Sequence, residues 1–440
     1  MPRFFERSFT LVLLMFTLPL LFLPKINLLQ YGGRETAGVR IDDVILMGFL
    51  VLLGWAHFLL QRRLRDVEKW LFAILGFSMI SFIINQFFYA IGWIHVTGNL
   101  LYAVRVLEYF AFFYIGLIAV QYVSSSTFIK AFIVWNCTIM IFQKLGLVGE
   151  FSMYGYNPNA SYRVPGVCSF ASEAGALVNM LFCYLIFQPK ENNRLVEFWP
   201  PFVRQLIKGS YLYVMFIFFG LLTVFTGSRI AIFAIGVVFL YCVWGKMSWR
   251  TPWTIAITSV VVIVGGALLT LFIMENQEML ARSRGLLSMK NVDLMSKVWN
   301  GVDVNMEPKS YGVVGSGGAD MSWFIRIQKW CYALKIYVTH PETYLQGVGP
   351  GFAFAGLDGG YLRILVENGI IGVFLYWNFF KTIARKSPQL KWMVIVFAIN
   401  MIFFDAYIAY KPMSLLFLVA GMTWAEQESC VENVPREALA

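Results

Sequence analysis

Apolar residues run along this chain in blocks of about twenty, broken by short polar loops, with one long polar excursion from Glu275 to about Asp358. Blocks that match the hydrocarbon thickness of a bilayer predict spanning helices at 8–24, 41–60, 69–93, 99–123, 129–149, 171–188, 209–227, 229–245, 253–274, 359–380, 390–407 and 411–425. A β-barrel would instead show short segments of strict alternation. Inside the excursion, 321–340 has helical periodicity, with Phe324, Ile327, Cys331, Leu334 and Val338 on one face and Arg326, Gln328 and Lys329 off it. Such a helix can lie at a membrane surface and close over a cavity. The expected fold is all-α, a polytopic transmembrane bundle of about 12 helices with one large outer loop. It divides into spans one to nine (1–274), the loop (275–358), and spans ten to twelve with a tail (359–440).

Composition agrees: 59% of the 440 residues are hydrophobic and 14% charged, too few charges for a soluble chain of this length. Arg3 and Arg7 precede the first apolar block, but no small-x-small cleavage site follows Leu23-Pro24, so that block reads as a retained helix. The net charge of +10 does not call for nucleic acid. Its lysines and arginines gather in alternate loops: Arg62, Arg63, Arg65 and Lys69; Lys190, Arg194, Arg204 and Lys208; Lys246 and Arg250; Lys381, Arg385, Lys386 and Lys391. The opposite short loops, 94–98 and 406–410, carry none. The positive-inside bias then places both termini in the cytoplasm and 25–40, 150–170 and 275–358 outside. The six cysteines lack CxxC spacing and read as buried thiols, although Cys168 and Cys331 would share the outer side. No HExxH, Walker A or Ser-x-x-Lys pattern occurs, which speaks against a metalloprotease, an ATPase or a serine hydrolase. No metal or cofactor is expected.

Three arginines stand on the outer side, where such residues are disfavoured: Arg163, Arg229 and Arg326. A guanidinium fork matches phosphate oxygens and keeps its charge; the plainer reading is headgroup snorkelling or loop ion pairing. Thr226-Gly227-Ser228-Arg229 forms a tight turn whose helix N-terminus would point at the same oxygens. The Gly347-x-Gly349-x-Gly351 cluster reads more readily as turns than as a phosphate cradle, since no strand precedes it. Glu173 and Asp358 are candidate proton acceptors, and Asp42 and Asp43 lie at the outer end of the second span. Each is also placed as a helix-start cap. His340 is the one histidine placed to act as a base. Arg105 and Glu108, three apart inside the fourth span, are expected to neutralise each other.

Taken in order, Thr226-Gly-Ser-Arg229, Arg326-x-x-x-Trp330, Gly347-x-Gly349 and Tyr361-Leu-Arg-Ile-Leu-Val-Glu-Asn-Gly-Ile-Ile-Gly372 resemble the O-antigen polymerase and ligase superfamily. Arg40-Ile-Asp-Asp43 is similar to polysaccharide polymerases as well. The resemblance implies a multi-pass bacterial inner-membrane protein with a periplasmic loop, acting as a metal-independent inverting glycosyltransferase. Donor and acceptor would be undecaprenyl-diphosphate-linked glycans, with a flippase and a chain-length regulator as partners. It also implies that Arg229 and Arg326 stabilise the departing diphosphate, that Arg163, Arg40 and Tyr361 line the substrate, and that Asp358, Glu173 or His340 takes the proton. Ligases of this superfamily carry a His-Asn pair just before the Tyr-Leu element. Here that place reads Leu357-Asp358-Gly-Gly-Tyr361-Leu362, which favours a polymerase over ligase-type transfer to a lipid A core. A non-enzymatic transporter or flippase would be expected to show paired halves, and no internal repeat is visible.

Overall fold

A computed structural model describes residues 2–23, 27–30, 38–59, 64–96, 100–152, 155–158, 163–188, 201–246, 289–305, 321–352 and 356–432. The chain is all-α apart from two short hairpins. In order come α1 (Pro2–Thr17), α2 (Pro19–Phe22), β1 (Asn27–Gln30), β2 (Gly38–Arg40), α3 (Ile41–Leu59), α4 (Asp66–Ala90), α5 (Leu100–Ala119) and α6 (Ser125–Lys144). Then follow β3 (Glu150–Ser152), β4 (Gly155–Asn157), α7 (Ala171–Phe187), α8 (Pro201–Thr226), α9 (Arg229–Lys246), α10 (Met289–Gly301) and α11 (Met321–Thr339). The chain closes with α12 (Gly360–Ala384), α13 (Pro388–Asn400) and α14 (Tyr410–Glu432). The helices follow the apolar blocks, and local chemistry sets their starts: Ser124 accepts the Thr127 N–H to open α6, and Ser387 accepts that of Leu390 to open α13. The predicted ninth span, 253–274, lies outside the described residues. The hairpins β1–β2 and β3–β4, both antiparallel, were not expected from the apolar pattern.

Three described helices are long and apolar enough to cross a membrane, Asp66–Ala90, Tyr102–Ala119 and Ser125–Lys144, and they mark the chain as a membrane protein. The inside-out character of α4 agrees with this. It exposes Phe72, Met79, Ile80, Ile83 and Phe87 while burying Ser78, Ser81 and Asn85. At the centre, α14 is buried on every side from Lys411 to Met422. It packs backbone to backbone with α5 through glycines: a Cβ on Gly421 would meet the Phe113 carbonyl oxygen at 1.9 Å, and one on Gly116 would meet that of Leu418 at 2.3 Å. The described cysteines Cys137, Cys168, Cys183, Cys242 and Cys331 are all buried free thiols, so Cys168 and Cys331 are not bridged.

The described parts of the excursion build a second core. Leu294 and Val298 of α10 meet Phe324, Ile327, Tyr332 and Ile336 of α11, and Ile94, Val96 and Val366 close it from the bundle. The α11 stripe differs from the expected one. Leu334 and Val338 are exposed, whereas Gln328, Tyr332 and Ile336 are buried. At roughly 100° per residue, Phe324, Gln328, Tyr332 and Ile336 advance about 40° per step, so the buried face winds round α11 instead of keeping to one side.

Helix α12 is broken at Gly369, whose φ of 62° and ψ of −167° interrupt the ladder. The segment 344–349 takes up the freed groups. Val348 and Gly349 donate to the carbonyls of Val366 and Glu367, and Ile370 and Ile371 donate to those of Tyr344 and Leu345. From α4, Ser81 and Asn85 donate to the carbonyls of Gln346 and Gly347, and Ser78 to the side chain of Asn368. The glycine cluster therefore serves close approach of backbones. A Cβ on Gly347, at φ 77°, would lie 2.3 Å from the Glu367 carbonyl carbon. Gly347→Ala is expected to destabilise the protein by about 2 kcal/mol or more. An unchanged thermal midpoint for the purified variant would remove this role from the turn.

Candidate functional site

Where the excursion re-enters the bundle, α11 clasps the residues that precede α12. The Arg326 Nε lies 3.3 Å from Asp358 Oδ2, the Lys329 ammonium donates to the Gly356 carbonyl, and the Trp330 indole N–H donates to that of Leu357 at 3.2 Å. Asp358 sits at φ 58°, the one non-glycine residue at positive φ among the described residues. Its flanking amides are pinned from below: Asp405 accepts the N–H of Leu357 at 2.6 Å and of Gly359 at 2.9 Å. Asp405 is held in turn by Arg363, which is fully buried and donates through Nη1 to Asp405 (3.1 Å) and through Nε to Glu367 (2.9 Å). Glu367 also accepts the Gly351 N–H and the Tyr407 hydroxyl. The strained carboxylate thus stands on a braced base of two acids and one arginine.

Some 34% of the Asp358 side chain and 30% of that of Arg326 remain accessible, so a solute can reach both. Burial nevertheless raises the Asp358 carboxyl above its ordinary range, against the opposing pull of the Arg326 and Lys329 charges. A carboxylate with raised proton affinity beside a guanidinium can take a proton and hold an anion in one place. Trp330 stacks on Phe403 with centroids 5.7 Å apart, and Trp323 meets Trp330 edge-on at 5.7 Å. An aromatic wall thus flanks the ion pair. Tyr361, its ring exposed, donates its hydroxyl to the Ala398 carbonyl.

Arg163 and the Thr226–Arg229 turn form a second cluster. The Arg163 Nε donates to the Thr226 carbonyl at 3.1 Å, and its side chain lies over Gly227, whose φ of 61° makes the turn. Gly175 and Asn179 of α7 press on this turn, Asn179 donating to the Ala231 carbonyl. Arg229 is exposed at the first residue of α9. Glu173 is fully buried; its oxygens accept the N–H groups of Ser169 and Lys411, tying the starts of α7 and α14 together. His340 is buried at the end of α11, its Nδ1 lying 3.0 Å from Glu342. The side chain of Arg40 lies outside the described residues.

Arg105 and Glu108 do not pair with each other. The guanidinium of Arg105 lies 4.6 Å from the Tyr102 ring centroid, a ring that Arg363 also approaches at 5.1 Å. Glu108 instead converges with Asp42 and Asp43, ligand atoms of the three lying within 4.8 Å of one another. Asp405 and the pair of Arg363 with Glu367 complete the site beyond the residues expected from the sequence. The available signal for the pair was its spacing of four on one helix inside an apolar stretch, where a charged pair asks for a reason. No family model and no curated protein matches this chain.

Proposed function

We propose that this membrane protein is a metal-independent glycosyltransferase that joins lipid-diphosphate-linked glycans, as a polysaccharide polymerase of a bacterial inner membrane. In this reading the helices form a bundle of about twelve spans, and α10 and α11 lie on its periplasmic side. The observation that carries the proposal is the strained, half-buried Asp358 paired with Arg326 at the mouth of the bundle.

The acceptor sugar lies along the wall formed by Trp323, Trp330 and Phe403, and its hydroxyl oxygen attacks C1 of the donor from the face opposite the diphosphate. The C1–O bond to the diphosphate breaks as the new C1–O bond forms, inverting the anomeric centre. Asp358 takes the hydroxyl proton, and the charge developing on the diphosphate is met by Arg326, with Arg229 and Arg163 as further phosphate ligands. Arg326 has two calls on it. When it swings to the diphosphate, Asp358 loses the neighbouring cation that favours its ionised form, so its proton affinity rises as the donor arrives.

Purified protein supplied with lipid-diphosphate-linked repeat units tests the proposal. Wild type is expected to give a ladder of polymers, Arg326→Ala single units only, and Arg326→Lys a small residual yield, because an ammonium cannot make the bidentate contact. Polymer of wild-type length from Arg326→Ala would remove the ion pair from the chemistry.

A further inference from the structure

At the end of α12 remote from Asp358, a cavity of about 720 Å³ opens between the C-termini of α7, α9 and α12 and the start of α13. Lys381, Arg385, Lys386 and Lys391 line it, and none of the described residues in its wall is acidic. Among the described residues no carboxylate forms an ion pair with Lys381, Arg385 or Lys391, while Lys386 lies over the Trp424 ring at 4.5 Å. Four cations around one hollow repel one another unless an anion sits between them. The remaining wall is aromatic: Trp392 stacks on Phe187 at 4.9 Å, and the Tyr241 ring lies 4.3 Å from Trp392. A second cavity of about 620 Å³ shares Arg385 and Lys386 from the other side, where Asp66 stands in the wall, so Lys381 and Lys391 are the cations confined to the larger cavity.

We infer that the larger cavity binds the phosphate of an anionic glycerophospholipid headgroup. The charge calls for a phosphate, and the surroundings decide for a lipid as its source. Trp377, one turn before Lys381 on the same face of α12, is 67% exposed, and Leu240 and Trp244 flank Tyr241 on α9 at 67% and 82%. This apolar surface continues from the cavity along both helices, as acyl chains require, and tryptophan and tyrosine are the residues of the membrane–water boundary. A free phosphate ion would make no use of it. The site is independent of the glycosyl-transfer reading and needs only that the chain lies in a bilayer.

Native mass spectrometry of the full chain in non-ionic detergent tests the inference with phosphatidylglycerol, phosphatidylcholine and inorganic phosphate as probes. Phosphatidylglycerol is expected to bind saturably and at least about tenfold more tightly than phosphatidylcholine. Each cation removed should weaken binding by about fivefold, and the combined Lys381→Gln, Arg385→Gln and Lys391→Gln variant by about 100-fold. Thermal unfolding without added lipid establishes that this variant is folded. If it is not, Lys381→Gln alone carries the test at its smaller factor. Equal binding of the two lipids, or unchanged binding by the variants, overturns the inference. Displacement of phosphatidylglycerol by an equal concentration of inorganic phosphate would assign the cavity to the free ion and overturn the lipid.

Discussion

Asp358→Asn is expected to lower polymerisation by about 10²–10⁴-fold while leaving the fold intact. The amide keeps the shape and one acceptor oxygen, so the contact with Arg326 is weakened but not crowded. What it loses is the ability to take a proton. The pH profile separates this from a general loss of activity. Asp358 must be ionised to act, and burial raises its pKa, so the wild-type rate should fall on acidification at a pH above the ordinary carboxylate range. In Asp358→Asn the small residual rate should show no such limb. A wild-type rate for Asp358→Asn, beside loss of activity in Glu173→Gln, would move the base to Glu173. Because both Glu173 oxygens cap helix starts, Glu173→Gln is expected to act through stability instead.

Arg363→Met should be the most damaging single change to the fold around the site. It leaves Asp405 and Glu367 buried beside each other with no cation between them, a loss of about 3–5 kcal/mol where one partner of a buried pair is removed. Thermal unfolding of the purified variant should show a large drop in midpoint. Adding Asp405→Asn and Glu367→Gln to the same chain should restore much of it, since no unpaired charge then remains. A single variant that melts like wild type would mean that the network does not support the turn at Asp358.

Many of the described helices were legible in the sequence because apolar blocks mark their extent, and α3, α7 and α9 start and stop within a residue or two of their expected bounds, while α11 was legible from its helical periodicity. The pairing of Arg326 with Asp358 was not legible as a pair. Both residues stood out singly, but only the fold brings α11 beside the start of α12. Asp405 was hidden for another reason. A single acid at the end of the apolar block 390–407 looks like a boundary residue until its two oxygens are seen to hold the amides on either side of Asp358. The winding of the buried face of α11 was not calculable from the helical repeat, because a face drawn every seven residues slides only about 20° per heptad, whereas Phe324 to Ile336 turns through about 120°. The partner of Arg105 was not calculable, because spacing along one helix says nothing of a ring that offers its face instead.

The exchange of hydrogen bonds at the break in α12 also bears on biogenesis. Segment 344–349 leaves the ribosome before the residues whose carbonyls and amides it needs, those at 366–371, and its other partners on α4 are already in place. The core built by α10 and α11 therefore stays unfinished until α12 has formed with its break at Gly369. During that interval α10 and α11 stand half-assembled, so the rate at which α12 joins them sets how long the nascent protein stays vulnerable to proteolysis.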